Sequence, residues 1–275
     1  MVLGAHAVLL VATCVALYPV VWVVALALRG DGALEPSVLP WPDEPSLANF
    51  ETVVTATDRQ GRWLFGRQLA ASVIISGATA LVAIVISTSA GYALSRWRFP
   101  GRDAGIGLLL TTQMFPSVAM AIPLYVLLDV LGLLDTWSGL VLVYASTAIP
   151  FGVFSLKGYF DTIPRDLEEA AMVDGATRLG AFVRVVLPAA RPALAVTALF
   201  AFMTAWNEFV LAATFISEET RVTLPVALQR FVGSYDAKWG PFAAGAIVVS
   251  IPVMALFYAL QRHLVSGLTS GGVKG

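Results

Sequence analysis

Few side chains in this 275-residue sequence can do chemistry, and they are unevenly spread. Glu208 is the only carboxylate well inside a long apolar stretch, and Asn207 precedes it. An acid and an amide together accept and donate hydrogen bonds, which suits a polar solute rich in hydroxyl groups. The same pair can instead join helices or gate a pathway. A charge at membrane depth costs at least about 2.5 kcal/mol on insertion scales, so Glu208 is expected to face protein or water rather than lipid. Thr197, Ala201, Thr204 and Glu208 fall on one helical face, a small and polar stripe. At about 1.5 Å per residue from Ala193, Glu208 lies roughly 22 Å into the stretch.

Two weaker stripes have the same character. Gln113, Ser117 and Met120 lie around Pro116, with Pro123 just beyond. Prolines there bend a helix and free carbonyls, which is tolerable where the helix lines a cavity or packs on neighbours. Tyr144, Thr147 and Phe151 form the other stripe. Aromatic and hydroxyl groups suit a hydroxyl-bearing solute, but helix packing uses the same residues. Ala83, Ser87 and Gly91 read as a small-residue packing face. No residue is read as catalytic, because the apolar stretches hold neither His with acids nor Ser with His. Cys14 is the only cysteine, which excludes a disulfide or a cysteine metal site within one chain. His6 and His263 are far apart, and no metal site is read. None of Lys157, Lys238 and Lys274 follows a glycine-rich run of the Walker type, so no cofactor and no ATP are expected on this chain.

The elements that must carry these residues follow from composition. Hydrophobic residues make up 58% and charged residues 13%, with a mean hydropathy of +0.80. A soluble domain cannot hide that much apolar surface, so the chain is an all-α polytopic membrane protein. Lipid offers backbone groups no partners, which makes the spans helices, and barrel strands would be shorter and half polar. Six spans are predicted, about 5–28, 68–94, 104–128, 138–156, 193–215 and 242–260, with a tail at 265–275. The first is read as a retained span, since it lacks a basic n-region and is too long for a signal peptide. Arg96, Arg98 and Arg102 follow the second span. Lys157, Arg165, Arg178, Arg184 and Arg191 follow the fourth, while Asp129 and Asp135 stand after the third with no cation. The positive-inside bias puts both basic connections and both termini in the cytoplasm. The first connection carries Arg29, Arg59, Arg62 and Arg67 but also six acids, and long loops obey the rule less well.

The connection at 161–192 is the most telling. From Arg165 to Pro192 it reads RDLEEAAMVDGATRLGAFVRVVLPAARP. Pro164 suits a first helical turn, and Leu167, Ala170, Ala171 and Asp174 share a face. Gly175 supplies a left-handed stop, and Thr177 can cap a second helix that Pro188 ends. The pattern predicts helix, glycine hinge and helix, standing outside the bilayer. An amphipathic helix resting on headgroups would share much of it.

Glu169-Ala170-Ala171, then Gly175, then Leu187-Pro188 resemble the EAA loop of permease subunits in binding-protein-dependent ABC importers, with Val185 where the family usually has Ile. Ser46-Leu-Ala-Asn-Phe50, Arg96-Trp-Arg-Phe-Pro-Gly-Arg102, Trp206-Asn-Glu-Phe209 and the ending Gly267-Leu-Thr-Ser-Gly-Gly-Val-Lys-Gly275 resemble the carbohydrate branch, in particular its shorter, maltose-type permease. The resemblance implies six transmembrane helices of the type I importer kind and a coupling helix docked on a cytoplasmic ATPase. Glu168, Glu169, Ala170, Ala171, Asp174, Gly175, Leu187 and Pro188 are then the ATPase-coupling residues. Gln113, Ser117, Tyr144, Thr147, Thr204, Asn207 and Glu208 are the candidates for the substrate pathway. The implied partners are a second related permease, two ATPase subunits that bind ATP and Mg, an external binding protein and the lipid bilayer, with no nucleic acid. The location is the cytoplasmic (inner) membrane. Alternatives are an importer of a polyol or glycerophospho compound, a secondary transporter or a membrane enzyme. A secondary transporter would need coupling acids at mid-membrane and two related halves, and Glu208 is alone.

Overall fold

The computed structural model describes residues 2–30, 38, 41–233 and 237–271, with side chains described for 4–30, 38, 41–233 and 237–261. Among the described residues the chain is helical, and its only β pairing is three isolated bridges. Four helices are long and apolar enough to cross a membrane: Gly4–Ala27, Leu64–Arg96, Trp137–Thr162 and Trp239–Gln261. Two sharply bent pairs raise the number to six if each pair is one span. In order the helices are α1 (Val2–Ala27), α2 (Ala48–Val54), α3 (Leu64–Arg96), α4 (Arg102–Thr112), α5 (Ser117–Val130), α6 (Trp137–Thr162) and α7 (Asp166–Val173). They continue with α8 (Arg178–Ala181), α9 (Leu187–Ala189), α10 (Arg191–Asn207), α11 (Val210–Phe215), α12 (Leu224–Leu228) and α13 (Trp239–Gly271).

The chain divides into two compact units. The first comprises 1–70 and 222–252. Its core gathers Ala25, Leu26 and Ala27 from the end of α1, Val53 from α2, Leu64 and Phe65 from α3, and Leu224, Ala227 and Leu228 from α12. Asn49, from the Ser46–Phe50 motif, is buried there and donates its amide to Ala27 O at 3.0 Å and Arg29 O at 2.6 Å. It thereby satisfies carbonyls that the end of α1 leaves without helical partners. Gly240 gives Asn49 room, since a Cβ at 240 would sit 2.5 Å from the amide nitrogen.

The second unit comprises 71–221 and 253–275. Its centre is the seam of α3 with α6 and α10. Ala83, Ala148 and Ala201 meet in one buried cluster, and Ser87 donates to Ile149 O at 3.2 Å. A Cβ on Gly91 would lie 3.0 Å from Lys157 N, so glycine is what lets α3 approach the α6 backbone. The predicted packing face of Ala83, Ser87 and Gly91 is therefore present. In lipid, such close backbone approach replaces the hydrophobic drive that water would supply. Toward the polar loop the seam changes character. Leu156, Phe160, Ile163, Val186, Ala190 and Ala193 form an apolar cluster with Tyr92 and Phe182 packed on it.

Two predicted spans are not continuous. The stretch 104–128 is split into α4 and α5, bent by 100°, because Pro116 lacks an N–H and its neighbour cannot stay helical. Gln113 and Ser117 therefore flank a break instead of sharing a stripe. The stretch 193–215 is split into α10 and α11 at Glu208, whose backbone is extended (φ −70°, ψ 126°). Thr197, Ala201 and Thr204 keep their helix, and Glu208 leaves it. The last helix is longer than its predicted span and runs into the predicted tail, to Gly271. Residues 31–37 of the first connection and 272–275 of the tail lie outside the described residues.

Candidate functional site

The polar loop after α6 is built by local backbone chemistry. Ile163 is extended (φ −81°, ψ 119°), as a residue before proline must be, and α6 stops there. The eight residues of α7 follow. Gly175 has φ 92°, its N–H bonds Met172 O at 3.1 Å, and Ala176 N–H bonds Ala171 O at 3.0 Å. Those two bonds make a complete Schellman stop, with the glycine at the left-handed position. No atom lies within 4 Å of where a Gly175 Cβ would stand, so conformation alone selects glycine. Thr177 Oγ1 then accepts Gly180 N–H at 3.0 Å and caps α8, as its position predicts. Pro188 does not end this second helix. Residues Phe182–Val186 form a wide π turn in which Leu187 N–H bonds Phe182 O, and helical backbone continues to Ala189. The wide turn accommodates the N–H that Pro188 lacks. The chain then bends by 76° into α10.

The two adjacent acids of α7 diverge. Glu169 is exposed, with Ala170, Asp174 and Gly175, while Ala171 is half-buried. Glu168 is the only buried residue of α7. Its carboxylate pairs with Arg96 Nε and accepts Tyr92 OH at 2.6 Å. Arg96 also donates to Phe160 O at 2.9 Å, Ile163 O at 3.1 Å and Ser95 Oγ at 3.1 Å. Arg165 donates to Ser95 O at 3.2 Å, and Ser95 Oγ donates to Asp161 at 2.7 Å. An open cleft of about 290 Å³ lies beside this network, with Trp97, Arg165, Glu169 and Arg178 among its walls. Leu187 and Pro188 are half-buried.

The pathway candidates are partly brought together. Tyr144, fully buried on α6, donates its hydroxyl to Glu208 at 2.9 Å. The Glu208 carboxylate also accepts Leu211 N–H at 3.0 Å on both oxygens and Ala212 N–H at 3.1 Å. It is the cap of α11, and α11 needs one because the break leaves its first N–H groups without helical partners. Thr147 Oγ1 bonds Tyr144 O at 2.8 Å, and Gln113 reaches Thr147 O at 3.1 Å across from the other broken span. Thr204 and Asn207 bond carbonyls of their own helix, Phe200 O and Met203 O. Asn207, Gln113 and Ser117 are exposed, and Thr204 is half-buried.

Two groups central to this geometry carry no functional signal as isolated letters. Arg96 reads in the sequence as a topology marker and the first residue of the Arg96–Arg102 motif, and Tyr92 as a span residue. Their spacing is the available signal, because i and i+4 put both on one face of α3. Asp135 is another. It holds φ 57°, donates its N–H to Phe215 O at 2.9 Å, and accepts Ser217 N–H and Glu218 N–H at 3.0 and 3.1 Å. It joins the connection after α5 to the one after α11.

Residues 83–270 match the family described as binding-protein-dependent transport system inner membrane component, and the chain belongs to that family. Among curated relatives, the trehalose transport system permease protein SugB of Mycobacterium tuberculosis is 38% identical over 267 residues, covering 94% of this chain and 93% of that one. The maltodextrin transport system permease protein MdxG of Bacillus subtilis is 40% identical over 205 residues, 74% of each chain. Among solved structures, a bacterial ABC transporter involved in import of the acidic polysaccharide alginate superposes with a TM-score of 0.76 at 24% identity, over 95% of this chain and 96% of that one.

Proposed function

We propose that this chain is one permease subunit of an ATP-driven importer that carries a sugar, a di- or oligosaccharide, across the cytoplasmic membrane into the cell. The observation that carries the reading is α7: a short helix between Pro164 and a left-handed Gly175, presenting Glu169 and Ala170 to water from a chain that is otherwise apolar. The carbohydrate names of the relatives support the cargo. In this reading α7 is the coupling helix. It docks in a cleft of an ATPase subunit, small Ala170 and Ala171 permit close approach, and Glu169 meets a cation or backbone donor there.

The rest of the assembly follows from what this chain lacks the means to do alone. Two ATPase subunits bind ATP and Mg in the cytoplasm, a second related permease completes the pathway, and an external binding protein delivers the sugar. Both termini are cytoplasmic. ATP binding closes the ATPases and drives α7 and the helices after Gly175, so that the cavity opens outward. Hydrolysis returns it, and the sugar leaves on the inner side unmodified. Gln113, Ser117 and Asn207 are the pathway groups that exposure favours, with half-buried Thr204 beside Asn207 on α10. Tyr144, Thr147 and Glu208 hold the breaks in shape behind them.

The test is isolation of the tagged chain from its native membranes, with uptake of labelled trehalose and maltodextrin in a strain lacking it. A soluble ATPase that co-purifies in stoichiometric amount, with loss of uptake of one of these or a related sugar, is expected. A chain that purifies without any ATPase defeats the reading.

A further inference from the structure

We propose that Arg96, Glu168 and Tyr92 form a buried ionic clasp that makes α7 one rigid piece with the ends of α3 and α6, so that a displacement of α7 moves those two spans directly. The inference rests on α7 being the coupling helix.

The attachment of α7 makes the case. It is a short helix bounded by Pro164 on one side and by a left-handed glycine on the other, so its helical continuity with α6 and α8 is broken at both ends. Its apolar side chains do not anchor it. Leu167 and Met172 are exposed, and Val173 is 86% exposed. The single buried side chain of α7 is a charge, Glu168. That carboxylate is met from two sides by α3, by Arg96 and by Tyr92 one helical turn earlier.

The guanidinium does more than neutralise it. Its remaining donors reach Phe160 O, which also accepts the Ile163 N–H, and Ile163 O, where α6 ends. A helix C-terminus is also where a cation is electrostatically favoured. One planar fork thus holds three elements, and lysine has no geometry to do the same. The side chains of Arg96 and Glu168 are only 8% and 10% exposed. In so dry a place, removal of one partner leaves the other charge unpaired, so the clasp is either closed or strongly disfavoured. Tyr92 extends the grip past the Gly175 hinge, because its ring lies 4.2 Å from that of Phe182 and 5.9 Å from that of Phe160. The two neighbouring acids therefore divide the work. Glu169 faces the partner, and Glu168 passes the movement inward as a positioning residue.

The experiment uses the whole complex in lipid nanodiscs, with Cys14→Ala as background and spin labels on cysteines replacing Val173 of α7 and Phe154 of α6. Label distances are measured without nucleotide and after trapping with ATP and vanadate. With the native clasp, the distance keeps its mean within about 2 Å between the two states, because both labels ride on one body. In Glu168→Gln the distribution is expected to broaden or shift by more than about 5 Å on trapping, while the ATPase still co-purifies. Arg96→Lys, which keeps the charge and loses the fork, falls between them. A native distance that itself changes on trapping overturns the clasp, as does a Glu168→Gln distribution identical to the native one. Loss of ATPase from Glu168→Gln alone also overturns it, since Glu168 would then be a docking contact. A native chain that never binds an ATPase overturns the coupling reading beneath it.

Discussion

Replacement of Glu208 by leucine tests a half-buried carboxylate that three buried donors share. The carboxylate accepts the N–H groups of Leu211 and Ala212, which are 2% and 0% exposed, and the hydroxyl of fully buried Tyr144. Leucine accepts none of these. Each buried donor left without a partner costs about 1–3 kcal/mol, so three donors amount to roughly 3–9 kcal/mol. A typical domain has a total stability of about 5–15 kcal/mol, which puts the variant near the limit of assembly. Glu208→Gln keeps an acceptor oxygen and loses the charge assistance, worth about half of such a bond, so a loss of about 1–3 kcal/mol is expected. Tyr144→Phe removes one donor together with its bond and costs about 1 kcal/mol. The assay is thermal unfolding of the detergent-solubilised complex together with its yield from membranes. The expected order of damage is Leu, then Gln, then the tyrosine variant, with uptake per assembled complex little changed for Gln. Native yield and native melting in Glu208→Leu would refute the reasoning. Uptake lost per assembled complex at native stability would make Glu208 a sugar contact and not a cap.

Gly175 stands at φ 92° with open space around it, so Gly175→Asn should transport nearly normally, whereas Gly175→Val meets left-handed strain above about 1–2 kcal/mol and should lose ATPase stimulation. Asn49→Ala leaves Ala27 O and Arg29 O without their amide and should cost about 1–3 kcal/mol, read as a lower melting temperature with unchanged ATPase binding. Cysteine labelling should find positions 98 and 178 accessible from the cytoplasm and positions 43 and 135 from outside. Position 178 reactive from outside would reverse the orientation.

The turns of the polar loop were legible because each is a local event. Pro164, Gly175 and Thr177 act on backbone within a few residues; Gly175 and Thr177 stand where the sequence puts them, while Pro164 lies just before α7 and not in its first turn. Hydropathy located the apolar stretches but not their breaks, since it weighs composition and not which N–H groups lose partners. Pro116 announced a bend without its size of 100°. Glu208 looked like the end of a helical stripe, and only the free N–H groups of α11 explain why it leaves the helix. Pro188 was misread as a stop because a π turn upstream absorbs its missing donor. The two acids of α7 are indistinguishable by type and neighbourhood. What separates them is about 100° of helix rotation and an arginine that the chain brings back from 72 residues earlier.

The seam between α3 and α6 is smooth along its middle, where alanine, serine and glycine meet, and bolted at one end by Arg96 and the Ser95–Asp161 bond. If α3 tilts against α6, the bolt is the fulcrum. Small side chains bring the two backbones close at mid-seam, while the charged and hydroxyl bonds at the bolted end resist translation. Ser72 stands 24 residues up α3 from the fulcrum, about 36 Å at 1.5 Å per residue, and a tilt of about 5° carries it through about 3 Å. Amplitude would thus grow toward the far end of the span, with little movement at the bolted end.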